Sequence, residues 1–154
     1  MSGLYGQLVN PESGWSYLQS TAQGFYYLSD VTVDNVNTSH LDALIRKLKE
    51  CQLNVAVSEN SVRVSYSGAM EAVDIETLPF PGFPTDMQAQ FSTLNAIAEG
   101  TGTITETVFE NRFMHINELL RMGANIHLEG NTAIITGVER LQSAPVMATD
   151  LRAS

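Results

Sequence analysis

The strongest constraint in this chain is a pattern it writes twice. His40-Leu-Asp-Ala-Leu-Ile-Arg46 and His115-Ile-Asn-Glu-Leu-Leu-Arg121 share their internal spacing, and each is followed by a segment that alternates apolar and polar residues. Leu41, Leu44, Ile45 and Leu48 fall at i, i+3, i+4 and i+7, which places them on one face of a helix. Val55 and Val57, a Glu59-Asn60 turn, then Val62 and Val64 spell a β-hairpin. Asn125-Ile-His-Leu-Glu-Gly-Asn-Thr-Ala-Ile-Ile135 repeats that hairpin in the same register as Asn54 to Val64. The second helix is four residues shorter, close to one turn, so its apolar face survives the deletion. Gly123 stands where a helix C-cap glycine is expected. The match over both helix and hairpin indicates a true structural repeat.

The surrounding chain extends this plan. Val31, Val33 and Val36 suggest a strand before the first helix, which Thr38-Ser39 would cap with Asp42 completing a capping box on Ser39. Between the copies lie a strand at 73–76, a Pro/Gly-rich loop from Leu78 to Pro84, and a helix. For that helix Thr85 is the expected N-cap and Gln88 the N3 partner, with Met87, Phe91, Leu94 and Ala98 on its apolar face and Gly100 as its end. A strand from about Gly102 to Val108 follows. Residues 73–137 thus spell β-α-β-α-β-β, and residues 31–66 the last four elements of a preceding unit. The expected fold class is α/β (α+β), about one and a half such repeats. Residues 1–28 show no clean period and read as a lead-in offering at most a short helix around Trp15 to Gln19. Thr149 to Ser154 reads as a helix started and not built.

Composition excludes several functions. A chain of 154 residues, 44% hydrophobic and only 16% charged, suits a packed globular protein. Its net charge is −9 with eight Lys and Arg spread along it, which does not supply the clustered cations that nucleic acid or an anionic membrane requires. An anionic ligand must therefore be held locally. No apolar run is long enough to span a bilayer as a helix. The single Cys51 allows no internal disulfide, and the N-terminus lacks the basic and apolar runs of a secretory leader, so a cytoplasmic location is expected.

Candidate chemical groups each have a plain structural reading beside the functional one. Asp86, at the first position of its expected helix, is either a helix-start acid or a carboxylate that accepts a substrate hydroxyl's proton. Arg112, on a strand-to-helix loop, and Arg152, in a helix first turn beside Asp150, are surface ion-pair members or anion ligands. His115 with Glu118 is at most half a metal site, so no metal is expected, and a structural role shared with His40 is the simpler account. Cys51, at a helix end, reads as structural. No phosphate loop or nucleophile elbow occurs.

Four stretches carry a resemblance: Phe83 to Phe91, Thr105 to His115, Glu118 to Ala124, and Val146 to Ser154. In order and composition they resemble the UDP-N-acetylglucosamine 1-carboxyvinyltransferases, enolpyruvyl transferases of peptidoglycan synthesis. The resemblance covers residues 29–154. It implies inside-out α/β barrel domains built from β-α-β-α-β-β units, and transfer of the enolpyruvyl group of phosphoenolpyruvate to the 3-hydroxyl of UDP-N-acetylglucosamine with release of phosphate and no cofactor. It implies further that Asp86 contacts the sugar hydroxyl and serves in proton transfer, that Val108 and Phe109 contact the UDP-sugar, and that Arg112 and Arg152 lie near phosphoenolpyruvate with Asp150 beside them. The family's N-terminal Lys-Asn pair and its loop cysteine have no counterpart in this sequence, and Cys51 matches a helix position instead. The chain accordingly reads as a partial domain, truncated at its C-terminal end and needing the remainder of the enzyme for turnover; a non-catalytic UDP-sugar-binding module and an inactive remnant are the alternatives.

Overall fold

The computed structural model describes residues 30–66 and 68–147. The expected short helix near Trp15, and Asp150 and Arg152, lie outside the described residues. Two compact units divide the chain, Met1–Met70 and Glu71–Ser154.

In the first unit, β1 (Asp30–Asp34), α1 (Asp42–Glu50), β2 (Asn54–Val57) and β3 (Ser61–Ser65) form an antiparallel sheet of order β1-β3-β2 with one helix. The hairpin register follows the valine alternation, with Val55 opposite Val64 and Val57 opposite Val62. Ile45 and Val62 are buried, Leu41, Leu44 and Leu48 half-buried. The helix start differs from the capping box expected on Ser39. Asn37 Oδ1 accepts from both the Ser39 amide (3.2 Å) and the Ser39 hydroxyl (2.6 Å), so Ser39 is consumed by a 3-10 turn at Thr38–His40, and α1 begins at Asp42 without a side-chain cap. β1 stops at Asp34, because Asn35 takes a positive φ of 58° and Val36 bonds outside the ladder, its N–H donating to Asn60 O at 3.0 Å.

The second unit contains β4 (Ile75–Glu76), α2 (Gln88–Ile97), β5 (Thr101–Thr105), α3 (Met114–Arg121), β6 (Asn125–Glu129) and β7 (Thr132–Thr136). Its sheet order is β4-β5-β7-β6, with β4 parallel to β5 and the other pairs antiparallel. The expected β-α-β-α-β-β order is present. Ile75, Phe83, Phe91, Ile104, Ile116, Ala133 and Ile135 are buried, and Phe83 meets Phe91 edge to face at 5.1 Å between ring centroids.

The two copies coincide in their ladders. Asp30↔Ser65 and Asn54↔Ser65 in one correspond to Thr101↔Thr136 and Asn125↔Thr136 in the other, an offset of 71 on every strand. Both helices also end alike. The Ala124 amide donates to Leu119 O and the Gly123 amide to Leu120 O (both 3.0 Å), with Gly123 at φ 85°. Leu53 to Leu48 (3.2 Å) and Gln52 to Lys49 (3.0 Å) reproduce that pair of bonds, with Gln52 at φ 64°. This is the Schellman arrangement in both copies, closed by glycine in only one.

β4 is shorter than the 73–76 strand expected because a side chain replaces part of the ladder. Asn95 Oδ1 accepts from the Val73 amide (3.0 Å) and its Nδ2 donates to Val73 O (2.8 Å), satisfying that residue as a neighbouring strand would. Gly102 makes room for this clamp: a Cβ there would stand 2.5 Å from Val73 O and 2.7 Å from Asn95 Nδ2. The helix α2 correspondingly buries a partly polar face, Gln88, Ser92 and Asn95 beside Phe91, rather than the row through Met87, Leu94 and Ala98. Of that expected row Phe91 is buried within the helix, and Ala98 is buried just past its end.

Candidate functional site

The site grows from the inward phase of β5. Gly102, Ile104 and, just past the strand, Glu106 face the interior in alternation. Glu106 is 2% exposed, and a buried charge of this kind persists only when its oxygens are satisfied. Five donors satisfy it. Oε1 accepts from the Thr77 hydroxyl (2.7 Å) and the amides of Val108 (2.8 Å) and Phe109 (3.1 Å). Oε2 accepts from the Thr85 hydroxyl (2.6 Å) and Gln88 Nε2 (2.9 Å). Burial pushes the Glu106 carboxyl up, but the bonds from Thr85, Thr77, Val108 and Phe109 together outweigh it and hold the group below its ordinary value of 4.5.

Thr85 carries this order outward. Its hydroxyl donates to Glu106 and accepts from Arg112 Nη1 at 2.6 Å, while Arg112 Nη2 bonds Asp86 Oδ1. The guanidinium also lies 4.7 Å from the centroid of the Phe109 ring. The Arg112 side chain is 10% exposed and that of Asp86 78%. The cluster therefore runs from a buried anion, through a hydroxyl and a nearly buried cation with an exposed ring against it, to an exposed carboxylate. Such a rim can accept a hydrogen bond from a ligand hydroxyl, present a cation to an anion and stack a ring.

Asp86, Val108, Phe109 and Arg112, singled out from the sequence, are thus brought together. The expected cap at Thr85 is corrected. Its hydroxyl is engaged by Glu106 and Arg112, Pro84 takes the N-cap position, and Asp86 lies in a 3-10 turn at Thr85–Met87 one step ahead of α2. Arg112 lies on the β5–α3 loop as expected, next to Asn111 with φ 57°. Glu106 and Thr85 were missed as site residues. The available signal for Glu106 was its place in the inward alternation after Gly102 and Ile104, an acid where a core residue belongs.

His115 and His40 do not share a role. His115 is buried in α3, its Nε2 lying 3.0 Å from the Ser92 hydroxyl, which itself donates to Gln88 O (2.9 Å). That order makes Nε2 the protonated nitrogen. Burial lowers its pKa to about 4. His40 is exposed on its 3-10 turn. Cys51 is buried as the C-cap of α1, and desolvation, reinforced by Glu50, pushes its thiol up to about 11. Among the described residues no three His, Cys, Asp or Glu side chains gather as a metal site, and no helix is long and apolar enough to cross a membrane.

Comparison with known proteins places this geometry in a family. A UDP-N-acetylglucosamine 1-carboxyvinyltransferase of Haemophilus ducreyi is 60% identical over 125 residues, 80% of this chain and 29% of that protein. One of Xylella fastidiosa strain M12 is 49% identical over 154 residues, 99% of this chain and 36% of that protein. The chain thus spans about a third of the length of these relatives. Among solved structures, the enolpyruvyl transferase NikO from Streptomyces tendae superposes with a TM-score of 0.71 at 23% identity, over 80% of this chain and 30% of that one. The EPSP synthase of Acinetobacter baumannii gives 0.55 at 15% identity, over 78% and 27%. These two show the shared fold. The family description EPSP synthase (3-phosphoshikimate 1-carboxyvinyltransferase) matches residues 25–154, so the chain belongs to this family of enolpyruvyl transferases.

Proposed function

We propose that the chain supplies one wall of an enolpyruvyl-transfer site that joins phosphoenolpyruvate to the 3-hydroxyl of UDP-N-acetylglucosamine. The observation that carries this reading is the exposed Asp86 carboxylate held by Arg112, with the Phe109 ring against the guanidinium. The relatives at 49–60% identity bear the name of that enzyme, which favours the UDP-sugar as acceptor.

In this reading the sugar hydroxyl donates to Asp86. Its oxygen forms a bond to C2 of the enolpyruvyl group once the methylene carbon has been protonated, and its proton passes to Asp86. Phosphate then leaves with the electrons of the C2–O bond, and a base takes a proton from the methyl group, whose C–H electrons restore the double bond. Arg112 draws the substrate carboxylate. Val108 and Phe109 line the UDP-sugar, and by resemblance Arg152 serves phosphoenolpyruvate, with Asp150 as its neighbouring acid. Residues 29–154 serve as one part of the transferase domain, and phosphate binding and the general acid come from the rest of the enzyme. The product belongs to peptidoglycan synthesis, and the acceptor is a cytoplasmic nucleotide sugar.

Calorimetric titration with UDP-N-acetylglucosamine tests the wall itself. Heat is expected for the 154-residue chain and a weaker response for Asp86→Ala and Arg112→Ala. No heat at millimolar ligand overturns the proposal. Phosphate release from the two substrates by this chain alone, above the Asp86→Ala control, overturns the assignment of the remaining groups to other segments.

A further inference from the structure

Glu106 is buried behind the solvent-facing rim, yet it holds the Val108 and Phe109 amides directly and reaches Arg112 through Thr85. We infer that Glu106 is the positioning residue of this site, setting the direction of the Thr85 hydroxyl and, through it, the place of Arg112. Its effect on sugar binding rests on the function proposed above; its effect on Arg112 does not.

The reasoning is one of hydrogen-bond polarity. The Val108 and Phe109 amides are main-chain donors and cannot reverse, so Oε1 must accept. Gln88 Nε2 and the Thr85 hydroxyl share Oε2, and an ionised carboxylate accepts both. With its proton committed to Glu106, Thr85 has only lone pairs to offer Arg112, whose guanidinium can only donate. The buried charge thus sets a one-way order from Arg112 through Thr85 to Glu106. The same carboxylate gathers the two amides on which Val108 and Phe109 turn, so the Phe109 ring and the guanidinium it faces are placed from one buried point.

Glu106→Gln keeps the shape and reverses part of the order. The introduced amide must turn its oxygen to the two main-chain N–H groups, so its NH2 meets Thr85. The Thr85 hydroxyl then accepts from that NH2 and its own proton loses its acceptor, so the lone pair that met Arg112 is no longer fixed in direction. Thr85→Val breaks the same relay without altering the carboxylate.

The test reads Arg112 directly, through the guanidinium NMR resonances of the unliganded 154-residue chain, assigned by their loss in Arg112→Lys. Glu106→Gln and Thr85→Val are each expected to release the restricted rotation of Arg112, while in Glu106→Gln the Val108 and Phe109 amides keep their downfield shifts. UDP-N-acetylglucosamine affinity falls about tenfold in each, as for the loss of one charge-assisted hydrogen bond, and the double variant falls no further than either single. Arg112 resonances unchanged in Thr85→Val overturn the inference, even if Glu106→Gln fails to fold. Additive losses in the double variant overturn the relay as well. Should the wild-type chain bind no nucleotide sugar, the proposed function fails and the Arg112 resonances alone decide the role of Glu106.

Discussion

Acid should loosen the second unit through His115. The imidazole is buried beneath α2, with Ser92 as its hydrogen-bond partner, and burial lowers its pKa from 6.5 to about 4. The unfolded chain therefore binds this proton first. Stability is fully present above the unfolded value and is lost as the pH falls from 6.5 towards 4. At about pH 5 the difference in proton binding amounts to about 2 kcal/mol. For a unit of this size that should move the urea midpoint down by about 1–2 M. Glu106, held below its ordinary 4.5, contributes its own loss only as the pH falls below that value, beneath the range assayed for His115. The assay is urea unfolding followed on resolved amides of α3 and β7, between about pH 7 and about pH 5, for wild type and His115→Gln. The glutamine amide offers a donor near the position of Nε2 without a proton to gain. A wild-type midpoint that falls while that of His115→Gln stays level is expected. Equal falls in both, or a His115 ring resonance that titrates at its ordinary value, would refute the reasoning.

Three further outcomes follow from the repeat and its packing. Gln52→Gly should raise stability by about 1 kcal/mol, because Gln52 holds the left-handed conformation that glycine takes at Gly123 in the other copy; an unchanged denaturation midpoint would count against that account. Gly102→Ala should cost about 3 kcal/mol by driving a methyl group into the Asn95–Val73 clamp, and a neutral effect on the thermal midpoint would show the clamp to be dispensable. Cys51, buried and with its thiol pushed up to about 11, should react with a maleimide at neutral pH at least ~100-fold more slowly than a small free thiol, so a fast labelling phase in the folded chain would contradict its placement.

What was legible in the sequence was whatever apolar periodicity controls. The helix–hairpin copies, their register and the Gly123 C-cap came through because valines alternate on the first hairpin and Ile126, Leu128, Ala133 and Ile135 fall at the same positions on the second. Helix starts were misplaced because two hydroxyls expected as caps had other partners: Ser39 is taken by Asn37, and Thr85 by Glu106 and Arg112. The inner face of α2 was invisible for a related reason. Gln88, Ser92 and Asn95 are buried polar groups, each satisfied by a partner distant or hidden in sequence, and a search for apolar stripes passes over them. Asp86 and Arg112 are legible as candidates from a helix start and a loop, Val108 and Phe109 only from the resemblance, and Glu106 from neither, since a glutamate after a strand ordinarily reads as a solvated end.

The duplication also explains why the anchor could arise in one copy. Along the common offset of 71, Glu106 corresponds to Asn35, the residue that follows the first strand of each ladder. At Asn35 the backbone turns to φ 58° and the side chain is exposed, so the chain leaves the sheet at once and Val36 bonds the hairpin turn. At Glu106 the amide itself bonds that turn, through Asn131 O at 2.8 Å, and Asn131 Nδ2 returns a bond to Glu106 O at 3.0 Å. The strand direction is therefore carried one residue further and the side chain continues the inward alternation. Once there, an acid requires donors, and the second unit has them from β4's end at Thr77, from the turn at Thr85 and α2 at Gln88, and from the loop at Val108 and Phe109. The ladder is common to both copies, whereas the β4–α2 segment that brings three of those five donors has no described counterpart in the first. A buried carboxylate at Asn35 would lack those three partners, and the cost of burying it would not be offset.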